Sequence, residues 1–283
     1  MASQSDIVTK ASEGALEDIQ KNSPEDYAKL EASPDLKAKI FQAARATANE
    51  CVQLTKEFAG QPKDIAERLA KHLSADRIKL IEGGLIIPTF RLNVIKQDDG
   101  KHRVDLTRGG KPFSPSKVLE SSNDIDWATI MQYASIIVEA VLMVLSAVGI
   151  SITPSDSVIE GTIRETATII QSSSRMERAV EAFVSAWDAA GGSAYAKAKA
   201  LFYLIKDSYS AGILWTIIKS LCSQMKWYDW LETAAKVSAM LIASLLSDGV
   251  ALIAEIALIV LSAVDFARKI ANVIHLADIK KTL

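Results

Sequence analysis

Ile130–Val148 reads IMQYASIIVEAVLMVLSAV, and Leu246–Val264 reads LSDGVALIAEIALIVLSAV. Each window averages roughly 2 on a hydropathy scale, the range in which a transmembrane helix has to be considered. Neither is a clean span. Glu139 interrupts the first, and Asp248 and Glu255 interrupt the second. The apolar runs beside these carboxylates fall well short of the ~20 residues a bilayer requires. The polar residues are also ordered. Thr129, Gln132, Ser135, Glu139 and Ser146 follow one another at steps of three, four and seven, and Asp248, Glu255 and Ser262 at steps of seven. That spacing gives each helix one narrow polar stripe on an otherwise apolar surface. Such a helix suits the centre of a bundle, with its stripe at a seam, or an element stored for insertion into a bilayer.

The two windows are related. Ile137–Val148 (IVEAVLMVLSAV) aligns with Ile253–Val264 (IAEIALIVLSAV) at eight identities in twelve, and Glu139 coincides with Glu255. The match is too short for a repeat architecture. It points to two helices in similar environments.

Working outward, no strand pattern survives from Ile125 to Ala277. Apolar periodicity places helices near 125–150, 156–172, 174–190, 193–208, 210–225, 227–247 and 249–276, separated by Gly, Ser and Pro clusters. The fold class is therefore mainly α, a multi-helix bundle with a small β-hairpin in its N-terminal part. Residues 236–276 form a hydrophobic helical hairpin broken at Asp248-Gly249. Its layout resembles that of colicin-type pore-forming domains in architecture alone; no diagnostic motif accompanies it. In the membrane reading, Glu139, Asp248, Gly249 and Glu255 belong to the insertion elements. A protonated carboxylate crosses hydrocarbon far more cheaply than an anionic one, so acid favours insertion if the inserted form binds more protons.

Composition changes near residue 118. The first 118 residues hold 19 Lys/Arg and 17 Asp/Glu, whereas the remaining 165 hold 13 and 17, and all five tryptophans lie in the second part. Two units are expected, a charged region over 1–118 and an apolar bundle over 119–283. Ser23-Pro24 and Ser33-Pro34 place proline where a first helical turn accepts it. The residues Leu36, Ile40, Ala43, Ala44, Thr47, Cys51, Leu54 and Phe58 mark one amphipathic helix, and Gln61-Pro62 starts another. The pattern then alternates at Phe90, Leu92, Val94 and at His102, Val104, Leu106, around Asp98-Asp99-Gly100. This reads as a β-hairpin within about 77–108, with Arg77–Ile81 as a further strand.

Between Arg77 and Lys117, nine basic residues face four acidic ones. Arg91, Lys96, Lys101, Arg103 and Arg108 are candidate contacts to lipid headgroups, with anionic lipid as the partner. Few aromatic residues accompany them, so nucleic acid is not an expected partner. Trp215, Trp227 and Trp230 flank the hydrophobic hairpin and suit either a membrane interface or the cap of a core.

Signs of catalysis are sparse. His72, His102 and His275 have no ligand-spaced companions, and no phosphate-cradling glycine loop occurs, so neither a metal nor a cofactor is expected. Ser208-Tyr209-Ser210-Ala211-Gly212 approaches a nucleophile elbow, which requires a preceding strand that the helical pattern of Ala194–Lys206 does not supply. Cys51 and Cys222 read as buried thiols in a reducing compartment. Met1–Asp6 lacks the features of a secretory signal, which makes the cytoplasm the default location. With 49% apolar residues and a net charge of −2, the chain has the composition of a globular protein with ample core. The leading expectation is a protein that docks on or inserts into bilayers. The alternative is a non-catalytic helical scaffold that binds a protein partner or itself.

Overall fold

The computed structural model describes residues 3–58, 90–108, 111–112, 116–120, 122–147, 149–150, 152, 154–249, 252–257 and 264–282. The expected helix from Gln61-Pro62 and strand at Arg77–Ile81 lie outside these residues. The fold is mainly α with a small antiparallel sheet.

Three helices open the chain: α1 (Gln4–Asn22), α2 (Pro24–Glu31) and α3 (Pro34–Phe58). A capping box starts α1: Ser3 Oγ accepts from the Asp6 N–H and the Asp6 carboxylate accepts from the Ser3 N–H. Pro24 and Pro34 begin α2 and α3, where their missing N–H costs nothing. The sheet follows, with β1 (Phe90–Lys96) paired to β2 (His102–Arg108). Gly100, at φ +83°, closes the connecting turn. Two short strands, β3 (Lys111–Pro112) and β4 (Lys117–Leu119), pair along the other edge of β2. Strands of two or three residues carry no periodicity that a sequence could show. A hairpin alone is marginal in water. Here Val104 and Leu119 join Ile125 and Ala128 at the start of the next helix and Leu276 and Ile279 near the chain's end in a small separate core.

The remaining helices are α4 (Ser122–Ala147), α5 (Asp156–Gln171), α6 (Ser174–Ala189), α7 (Ala194–Ser210), α8 (Ile213–Leu221), α9 (Trp227–Leu246) and α10 (Val264–Thr282). Residues 252–257 are also helical. From α4 to α9 the order and breaks follow the sequence reading to within a few residues, whereas α10 runs to Thr282, six residues past the expected end at 276. Ser173 and Ser193 cap α6 and α7 through their hydroxyls, as the polar breaks imply.

The composition step near residue 118 does not separate two cores. Helices α1 and α3 pack chiefly on α9, and residues from both sides of the step share one large hydrophobic cluster. The reason is physical. On α1, Ile7, Val8, Ala11, Ala15 and Ile19 form a single apolar stripe that has to be covered, and α9 covers it.

Candidate functional site at the apolar hairpin

Helix α9 is buried along its length by small and aliphatic side chains: Ala234, Ala235, Val237, Ala239, Met240, Leu241 and Ala243 are all within 2% of full burial. Its cover comes from α1 and α3, which run in opposite directions. Gly14 of α1 lies against Ile242, so close that a Cβ there would stand 2.8 Å from Cδ1, while Asp18 meets Ser238. Helix α1 is therefore antiparallel to α9. On α3, Lys39 pairs with Glu232 at 3.0 Å, Cys51 Sγ lies 3.2 Å from Ser244 Oγ, and Thr55 Oγ1 lies 3.4 Å from Ser247 Oγ. Helix α3 is therefore parallel to α9, and its last turn reaches the same end of the bundle.

A polar clasp ties the sheath to the hairpin. Tyr209 Oη on α7 and Ser238 on α9 both donate to the Asp18 carboxylate of α1. Burial raises the Asp18 pKa above the usual carboxylate range, against the lowering effect of these two hydrogen bonds. Desolvation and the Asp18 charge together raise the Tyr209 phenol.

At the end of α9 the chain reverses through Ser247-Asp248-Gly249. Asp248 (φ +63°) and Gly249 (φ +70°) both take left-handed backbone. The Gly249 N–H donates to the Ser244 carbonyl at 2.7 Å, and a Cβ on Gly249 would meet the Phe202 ring at 2.7 Å. This close approach explains glycine here in a way that sequence punctuation alone did not. Around the turn stand three exposed apolar side chains. Leu245 and Leu246 are 36% and 46% exposed, and Tyr203, beside Phe202, is 48% exposed.

The two carboxylates that align in sequence have different surroundings. Glu255, in the helical stretch 252–257, is 5% exposed, and its charge bears on the Cys51 thiol. Burial, more than that charge, pushes Cys51 up to about 12; burial alone does the same for Cys222. Glu139 is half-buried on α4 between buried Val138 and Ala140. Of the rest of its polar stripe, Thr129 is half-buried and Gln132, Ser135 and Ser146 are buried. The Ser146 hydroxyl donates to the Leu142 carbonyl at 3.1 Å, whereas Ser135 Oγ has no hydrogen-bond partner among the described residues.

Two expectations need correction. Trp215 and Trp230 are not interface aromatics in this fold. They are 5% and 6% exposed, stacked edge to face at 6.2 Å, and they cap the core because α8 and α9 bury them together. Only Trp227 is half-buried, beneath Lys29 at 5.7 Å. Three basic residues of the hairpin region pair with neighbouring acids, while Lys111 is exposed. Lys101 pairs with Glu120 at 2.9 Å, Arg103 grips Asp105 through two hydrogen bonds, and Lys117 pairs with Asp124 at 2.7 Å. Lys96 remains exposed. The side chains of Arg91 and Arg108 lie outside the described set.

The Ser208–Gly212 stretch is a helix-to-helix turn. Ser208 is fully buried in α7 with its hydroxyl donated to the Leu204 carbonyl, and Gly212 caps α8 at φ +76°. His102 and His275, distant in sequence, meet edge to face with ring centroids 6.3 Å apart, where α10 crosses the sheet. No three His, Cys, Asp or Glu side chains converge among the described residues. Asn123–Ser146 of α4 is long and apolar enough to cross a membrane, but 83% of its most apolar window is buried. No family model, curated protein or solved structure matches the chain.

Proposed function

We propose that this chain is a soluble protein that acts on membranes. It docks on a bilayer with the Asp248-Gly249 end of its bundle and inserts the apolar hairpin that α9 begins, a route that extends to pore formation. The observation that carries this reading is the pair Leu245 and Leu246, exposed in the last turn of a helix whose other apolar side chains are buried or half-buried. Amphipathic α1 and α3 supply most of the cover over α9 and expose charged outer faces. Moving them aside frees the hairpin without dismantling α4 to α8.

The test uses vesicles loaded with a quenched dye, at about pH 7 and about pH 5, together with thiol alkylation. Cys51 lies on the α3–α9 seam and Cys222 at the end of α8, away from it. Both are protected in the free protein by burial. The expected result is dye release, stronger in acid because Glu255 of the hairpin enters hydrocarbon more cheaply when protonated, with vesicle-dependent labelling of Cys51 and continued protection of Cys222. Absence of binding and release at both pH values overturns the proposal, and the scaffold reading then takes its place.

A further inference from the structure

Four residues of α7 are exposed to solvent: Lys199, Tyr203, Lys206 and Ser210. They fall at steps of four, three and four, so they form one face of the helix. No carboxylate shares it, and Asp207 is half-buried to one side. Lys206 Nζ stands 5.9 Å from the centre of the Tyr203 ring, and that ring lies 5.7 Å from Phe202, the residue seated on Gly249. The face therefore runs into the turn that bears Leu245 and Leu246. At the same end, Lys56 is exposed on α3, next to the Thr55 that meets Ser247. Exposed acids also stand at this end: Asp248 at the turn, Glu50 next to Cys51 on α3 and Asp6 in the first turn of α1. Among the described residues, Lys56, Lys199 and Lys206 make no ion pair, in contrast to Lys101, Arg103 and Lys117 of the sheet.

We infer that this α7 face, and not the β-hairpin, is the headgroup contact, and that its partner is an anionic phospholipid bilayer. The inference rests on the membrane reading above and names the lipid class it requires. Exposed leucines enter the acyl boundary, an amphipathic tyrosine sits at headgroup depth, and unpaired lysines beside them meet phosphate and carboxylate groups. Charge complementarity selects the occupant: a cationic, acid-free stripe beside an apolar tip fits a negative surface better than a neutral one.

The experiment is co-sedimentation of the full chain with vesicles of phosphatidylcholine alone or mixed with phosphatidylserine, in low and high salt. The wild type should partition preferentially onto the mixed vesicles and lose that preference in salt. Lys199→Gln/Lys206→Gln should reduce partitioning roughly 30-fold, from the typical contribution of a lysine near an anionic surface. Lys199→Glu/Lys206→Glu should reduce it further, and Lys96→Gln/Lys101→Gln should leave it unchanged. All four positions are solvent-facing lysines, and unchanged thermal unfolding of each variant checks its fold. Equal binding to both vesicle types, or loss in the sheet variant with none in the α7 variants, overturns this inference while the membrane reading stands. No binding to either vesicle overturns both.

Discussion

Among the described residues, α4 and α9 are both long and apolar, and they are held in opposite ways. From Ile125 to Ser146, α4 has no exposed residue, and its neighbours come from α5, α7, α8, α10 and the sheet. Helix α9 takes its cover mainly from α1 and α3 and ends in exposed leucines. A helix enclosed by many elements moves only if the fold comes apart. A helix enclosed mainly by two amphipathic neighbours leaves when those two separate. Apolar composition therefore does not by itself say how firmly a helix is held; the number and kind of neighbours do.

The comparison breaks most visibly in the core of α4. Ile137→Ala removes a fully buried side chain and should cost about 2–5 kcal/mol in urea unfolding. A loss under about 1 kcal/mol would mean that α4 is not the closed centre described here.

Gly14→Leu acts on the other helix. It forces a side chain against Ile242 and should cost about 1–3 kcal/mol. Hydrogen exchange should rise in α9 while α4 stays protected. A uniform rise along both helices would make them one cooperative unit.

Asp18 sharpens the comparison through pH. Its folded pKa is raised, so the folded protein holds that proton more tightly than the unfolded chain. The stabilisation is fully present below the ordinary carboxylate pKa and is lost as pH rises through the raised folded value. Asp18→Asn cannot titrate and should flatten that part of the curve of unfolding midpoint against pH. An unchanged curve would show that the clasp does not form. The sign also separates two roles: acid removes the burial cost of the Asp18 charge, so acid-driven insertion has to act through carboxylates of the apolar elements.

The smallest effect on stability belongs to the tip. Leu245→Ser/Leu246→Ser should change stability by under about 0.5 kcal/mol per site, because both side chains are already exposed. Vesicle binding should nevertheless fall sharply. Binding that survives this change would move docking away from the Asp248-Gly249 end.

Much of the architecture was legible because local rules act on neighbouring residues. Apolar periodicity located α3 and α4–α9, Pro24 and Pro34 located two helix starts, and alternation about Gly100 located β1 and β2. The short strands β3 and β4 escaped because their pairing is with β2, not within themselves. The same limit governs the candidate site. Asp248-Gly249 was readable as a break, but its contact with Phe202 was not. The Lys199–Tyr203–Lys206 stripe lay within a correctly located helix, yet helical spacing alone cannot say which face meets solvent when apolar residues occur on several sides.

By itself, the sequence determined a mainly helical chain with two apolar windows, each interrupted by a carboxylate, because hydrophobic period and backbone preference are local properties. Tertiary structure decided that α9 packs with the N-terminal helices, that Trp215 and Trp230 belong to the core, that Lys101, Arg103 and Lys117 find acid partners, and that the exposed face of α7 comes to the Gly249 turn through Phe202. Burial and charge pairing depend on which distant segments meet, and that is settled only when the apolar faces find one another in the folded chain.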